Sequence, residues 1–194
     1  MAEPLPLDPD SYRGTYKLIG GTLALDFANL VSYRGTDRQH DWLDPDANAV
    51  TWARAAGIAA PAGDIAGLRE FREVLARVFL DLVDRTTPSW ADVSRIGELA
   101  AGAWSTRKLV LHDGATAATW TATSPTLLTE VALDAASLLT DGAALGRLSA
   151  CQECRWLFLD TSRNRRRQWC DPADCGNRAR QRRHYERNQR SPAL

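Results

Sequence analysis

The sequence predicts a mainly α (α+β) fold, a helical N-terminal domain with one small β-hairpin followed by a compact C-terminal module. Three observations predict it. Apolar residues recur with a 3.6-residue period over several stretches before residue 140. One Asp113-Gly114 pair sits between two short segments rich in β-formers, a hairpin signal. All four cysteines of the chain fall in one late segment, as Cys151-x2-Cys154 and Cys170-x4-Cys175.

The elements follow in order. Residues 1–15, rich in Pro and Asp, read as an extended arm. From Gly20 a helix places Leu23, Phe27, Leu30 and Val31 on one face. Gly35 to Asp41 is polar and reads as a loop. Asp44-Pro45 offers an N-cap and a first-turn proline for a helix through Trp52 to about Ala56, closed by Gly57 and Pro61. The clearest helix runs from Asp64 to Asp84, with Ile65, Leu68, Phe71, Leu75, Val78, Phe79 and Leu82 in phase and Asp64 as cap. Ser89 caps the next, which carries Val93, Ile96 and Leu99. Lys108–His112 and Thr116–Thr123 are the two strands of the hairpin. A last long helix follows Ser124-Pro125 and ends at Asp141-Gly142. The division expected is a helical domain over 1–147 and a cysteine module over 148–194. No Pro/Gly/Ser-rich linker separates them, so close docking is expected.

The chain has 194 residues, 44% of them hydrophobic, enough for a folded core rather than a disordered segment. Its formal charge of zero hides an asymmetry. From Arg147 onward there are 12 Arg against 5 acidic residues, and before it 12 Lys or Arg against 19 acidic residues. The N-terminus has no apolar signal core, and no apolar stretch approaches the roughly 20 residues of a spanning helix. A cytoplasmic protein with reduced cysteines and no membrane partner is expected.

Cysteines at these spacings suit a tetrahedral metal site. Cys151-Gln-Glu-Cys154 has knuckle spacing, Trp156–Leu159 reads as a strand, and Arg167–Trp169 as its return strand. Asp171-Pro172 opens a helix with Cys175 in its first turn, where the helix dipole and nearby Arg155, Arg167 and Arg178 favour thiolates. The result is a treble-clef-like zinc finger of knuckle, hairpin and helix. Four sulfurs close the shell, so one Zn²⁺ there is structural rather than catalytic. A disulfide pair, a redox dithiol and an iron–sulfur cluster are the alternatives.

The residues also carry a resemblance. Cys151-x2-Cys154-x-Trp156-x-Phe158-x-Asp160-x-Ser162-x-Asn164, then Arg167-x-Trp169-Cys170 and Cys175-Gly176-Asn177-Arg178, resembles the CGNR zinc-finger family. Gly20-Gly21-x-Leu23-x-Leu25-Asp26-Phe27-x-Asn29 is similar to the opening of the ABATE domain that accompanies this finger, with Leu30 where that family carries Thr. The resemblance implies a bacterial, stress-responsive transcription regulator with a DNA-binding finger.

The arginines point to a polyanion. Beyond Cys175 a helix would carry Arg178 and Arg182 on one stripe and Arg180, Arg183 and Arg187 on another, with Arg163, Arg165 and Arg166 in the preceding turn. These eight are the candidate nucleic-acid contacts, to DNA first and to RNA as the alternative. Two competing readings are a solvated basic face and an internal clamp onto the acidic domain. Gly176 would admit backbone close to sulfur, and Asn177 would hydrogen-bond near the metal. In the N-terminal domain Asp26, Asn29, Arg34, Trp42 and Trp52 are candidate contacts for a small effector, or satisfied core groups. A palindromic target would require a homodimer, but no coiled-coil repeat is present. No phosphate loop, nucleophile elbow or paired-carboxylate motif stands out, so an enzyme is not expected. The alternative function is a ligand-binding protein or enzyme in which the finger is only a brace.

Overall fold

The structure is a computed structural model describing residues 2–190. Met1 and residues 191–194, the outer ends of the expected arm and module, lie outside the described residues. Strands β1 (Pro4–Leu5) and β2 (Tyr16–Lys17) pair across the N-terminal arm. They are followed by α1 (Leu23–Ala28) and the paired strands β3 (Val31–Ser32) and β4 (His40–Asp41). Helices α2 (Ala47–Ala55), α3 (Ile65–Val83) and α4 (Trp90–Ser105) lead into a hairpin of β5 (Arg107–Val110) and β6 (Thr119–Ala122). Then come α5 (Leu127–Thr140), short α6 (Gly142–Leu145), the pair β7 (Leu148–Ala150) and β8 (Leu157–Leu159), and α7 (Cys175–Arg190).

Helices α1, α3, α5 and α6 start where a side chain accepts from amides of the first turn, whereas Ser89 stands at the N-cap of α4 without a side-chain capping bond. Asp64 accepts from Ala66 N at 3.0 Å, and Thr126 and Thr129 form a reciprocal capping box at α5. Gly114, at φ +77°, supplies the left-handed backbone that the β5–β6 turn needs.

Three expectations need correction. The first helix stops at Ala28, and Val31 instead begins β3, because Asn29 and Tyr33 turn the chain back on itself. Asp46, not Asp44, stands at the N-cap of α2, and its side chain makes no capping bond. The strand at 157–159 pairs with 148–150, before the knuckle, and not with 167–169. Its partner had to come from the N-terminal side because the 160–169 loop is folded around Asp160. That carboxylate accepts from Ser162 N and Arg167 N, both at 2.9 Å.

Helix α1 is short but central, packing on α3, α5 and β8. Phe27, Leu75, Phe79, Val131 and Phe158 belong to one buried cluster that also includes the four cysteines. The module is therefore seated on the helical body, with segment 20–31 forming the seat. Asn29 brackets one residue of β8, its Oδ1 accepting from Leu157 N at 2.7 Å and its Nδ2 donating to Leu157 O at 2.8 Å. Trp156 Nε1 donates to Val31 O at 3.0 Å, and Leu159 N to Gly20 O at 2.9 Å.

Asp26 fixes the entry to α1. Its Oδ1 accepts from Ile19 N and Gly20 N, both at 2.7 Å. Burial nevertheless pushes its carboxyl up to about 6, against the pull of those two amides. A carboxyl raised in the folded state favours folding below its unfolded value and loses that contribution as pH rises through about 6. Asp26→Asn keeps an acceptor oxygen for both amides and removes the titration. Between pH 5 and pH 7 the variant should therefore gain about 1 kcal/mol over wild type in urea unfolding. A pH-independent difference would contradict this.

Candidate metal centre and basic helix

Knuckle geometry follows from the β7–β8 pair. Cys151 leaves β7 with its N–H donating to Trp156 O at 2.8 Å, and Arg155 N donates back to Cys151 O at 2.9 Å. Arg155 closes the turn at φ +63°, a conformation that costs a non-glycine residue about 1 kcal/mol. The second pair comes from the far end of the Asp160-centred loop. Cys170 ends that loop and Cys175 is the first residue of α7. All four sulfurs are buried and lie within 4.8 Å of one another. Cys154 and Cys175 each lie 3.5 Å from Cys170, sulfur to sulfur.

These distances exclude disulfides, which need sulfurs about 2.05 Å apart. They suit a tetrahedron, whose edge at a Zn–S distance of about 2.3 Å is about 3.8 Å. Ionisation points the same way. Hydrogen bonding to the Cys151 sulfur, reinforced by burial, holds the thiols of Cys154 and Cys170 well above the usual range, while Cys151 and Cys175 are shifted below it. Four buried sulfurs can shed their protons together only against a divalent cation. The site therefore holds one structural Zn²⁺, with no position left for water.

The surroundings correct several readings. Of the three arginines expected to offset the thiolates, only Arg178 reaches one, with Nη2 at 3.9 Å from Cys175 Sγ. Arg155 pairs with Asp84 at 2.6 Å. Arg167 donates to Trp169 O and Cys170 O, and stacks 4.2 Å from the Phe158 ring centre. Gly176 answers to an indole rather than to sulfur, since a Cβ there would sit 3.1 Å from Trp169. Asn177 makes no bond to sulfur. It donates to Ala173 O at 2.6 Å and accepts from Arg180.

Helix α7 has two unlike faces. Ala179 is buried and Arg178 half-buried against the module, and Arg182, itself exposed, pairs with Glu153 at 2.8 Å. Arg178 and Arg182, both expected among the nucleic-acid contacts, also make contacts within the module, Arg178 at Cys175 and Arg182 at Glu153. Arg180, Arg183 and Arg187 stand exposed on the other side. Arg163, Arg165 and Arg166 are exposed in the preceding loop. Among the described residues, none of these six lies within ion-pair distance of a carboxylate. An internal clamp by the α7 arginines is thus not what joins the two parts. Ion pairs across the junction come instead from Lys17, which binds Asp171 at 2.6 Å and Asp174 at 2.7 Å, from Arg155 with Asp84, and from Arg38 with Glu153 at 3.9 Å. Nothing local marks Lys17, because its partners lie 154 and 157 residues away.

The expected effector contacts do not assemble into a site. Asp26 and Asn29 are used by backbone, as above. Arg34 binds Glu73 and Ala28 O, Trp42 Nε1 donates to Ser32 Oγ at 2.8 Å, and Trp52 Nε1 donates to Tyr16 Oη at 3.1 Å. Both tryptophans are fully buried core residues. One concavity lies elsewhere, between the arm and the cysteine module, and is lined by Tyr12, Tyr33 and Arg178 among others.

A helical body seated on a four-cysteine finger defines a two-part zinc-finger protein. Comparison with protein families agrees. Residues 21–142 match the ABATE family model, described as "Putative stress-induced transcription regulator", and residues 147–188 match the CGNR zinc finger. The chain belongs to the ABATE family. A search of curated proteins found no match. Among the described residues, no helix is long and apolar enough to cross a membrane.

Structural zinc in a module this small contributes several kcal/mol to folding. Stripping it with a strong chelator should lower the midpoint of thermal unfolding by more than about 10 °C. Zn²⁺ alone, not Mg²⁺, should restore it. An unchanged midpoint in verified metal-free protein would contradict a structural role.

Proposed function

We propose that the protein is a cytoplasmic, DNA-binding transcription regulator rather than an enzyme, and that α7 is its recognition helix. One observation carries the reading: the outward face of α7 holds Arg180, Arg183 and Arg187 with no carboxylate partner among the described residues, while Arg178 and Ala179 are committed to the metal module. Residues three and four apart share a helix face, so these guanidinium groups form one stripe. A 16-residue helix is about 24 Å long and fits a major groove about 12 Å wide. Arg163, Arg165 and Arg166 flank the same module and would meet phosphates beside it. The family description supports a regulator, and the charge asymmetry of the chain supports a polyanionic partner. Two copies on a palindromic site would suit such a regulator.

If six arginines neutralise phosphates, log K should fall against log salt with a slope of about −5. Replacing Arg180, Arg183 and Arg187 together by Ala should reduce that slope by about 3, with zinc content unchanged. Fluorescence anisotropy with duplex DNA measures both. Equal binding by the two proteins removes α7 from the interface, and preferential binding to an RNA duplex of the same length replaces DNA by RNA as the partner.

A further inference from the structure

Past Ala179, the last buried residue of α7 among those described, every residue from Arg180 to Gln189 is exposed. What this part of the helix offers a partner is therefore decided by which side chains share a side of it.

Consecutive residues of an α-helix are turned by about 100°, so Gln181, His184 and Asn188 fall within about 60° of arc. The centre of that stripe lies about 170° from Ala179, on the side turned away from the metal module. Arg180, Arg183 and Arg187 run along one edge of the stripe, and they line one open concavity together with Gln181 and His184. Arg182, whose side chain stays 54% exposed in its pair with Glu153, lies beyond the other edge. Glu186, the one acidic residue of α7, falls on the back of the helix, about 170° from the stripe. Asn177 stands one turn earlier on the same side, but its amide is already used by Ala173 O and Arg180. Among the described residues, Gln181, His184 and Asn188 make no side-chain hydrogen bond.

Uncharged donors and acceptors between guanidinium groups match the cross-section of a DNA major groove. Phosphates line both edges of that groove and base edges form its floor. A carboxylate on the inserted side would be repelled, and Glu186 is kept off it. A carboxamide presents a donor beside an acceptor and pairs by two bonds with N6 and N7 of adenine. An imidazole N–H can donate to the N7 of a purine. With a rise of 1.5 Å per residue, Gln181 and Asn188 are about 10.5 Å apart along the axis, about three base-pair steps of 3.4 Å.

We propose that Gln181, His184 and Asn188 read base edges in the major groove of B-form DNA, over about four base pairs, with one adenine contacted by each carboxamide. This rests on the DNA-binding reading of α7 and adds to it a division of labour. The arginines supply affinity that is independent of sequence, and the stripe between them supplies the choice of sequence. Double-stranded RNA offers no such floor, because its A-form major groove is too deep and narrow for side chains to read.

The test is selection from a pool of random duplex DNA by zinc-loaded full-length protein. Fluorescence anisotropy then compares the selected duplex with its single-base-pair variants. Wild type should prefer adenine at two positions about three steps apart, and a mismatch at either should weaken binding about tenfold. Gln181→Ala should abolish the preference at one of these positions and Asn188→Ala at the other, with zinc content unchanged. Neither substitution should alter the slope of log K against log salt, because no arginine is removed. Both preferences surviving in the two variants would mean that the stripe is only solvated surface, and overturns the proposal. Wild type binding all duplexes alike overturns it too, while leaving the arginine-based binding proposed above in place. Tighter binding to an RNA duplex than to the selected DNA is equally against it, and binding to no duplex at all removes both readings together.

Discussion

Four sulfurs buried within a few ångströms of one another are tolerable only around a cation, and the C-terminal part of the chain is arranged to meet that condition. The module has two strands of three residues each and a helix of very low apolar content. Such elements cannot bury enough surface to hold themselves together. The ion supplies what the core lacks, tying the β7–β8 knuckle to the first residue of α7. An arginine-rich helix thereby acquires a fixed direction without surrendering its outer face to packing.

The second constraint is the seat. Asn29 reads the backbone of Leu157 in both directions, and Trp156 reaches Val31. These are contacts to main chain, so they fix position whatever side chains surround them. Lys17 adds a charged tie to Asp171 and Asp174 just ahead of α7. Finger and helical body consequently share one buried cluster rather than two. The arm and segment 20–33 are therefore in direct contact with the start of the basic helix.

Much of this was legible in the sequence, and the limits have physical causes. Periodicity located α3, α4 and α5 because their apolar faces are long enough to average out local exceptions. Cysteine spacing gave the ligands because metal geometry leaves few alternatives. The partner of β8 was misread because a three-residue strand carries almost no pattern, and Asp160 gathers the following loop away from it. Gly176 was assigned to sulfur when its neighbour is Trp169, a contact that spacing cannot reveal. The contacts of Arg178 and Arg182 depend on where Cys175 and Glu153 sit, so one arginine looked like another in the sequence.

Zinc K-edge X-ray absorption of the purified protein tests the central claim most directly. A shell of four sulfurs at about 2.3 Å, with no nitrogen or oxygen ligand, is the result this account predicts. A shell containing fewer than four sulfurs, or a light-atom ligand such as water, would contradict a closed site and with it the structural role assigned to the metal.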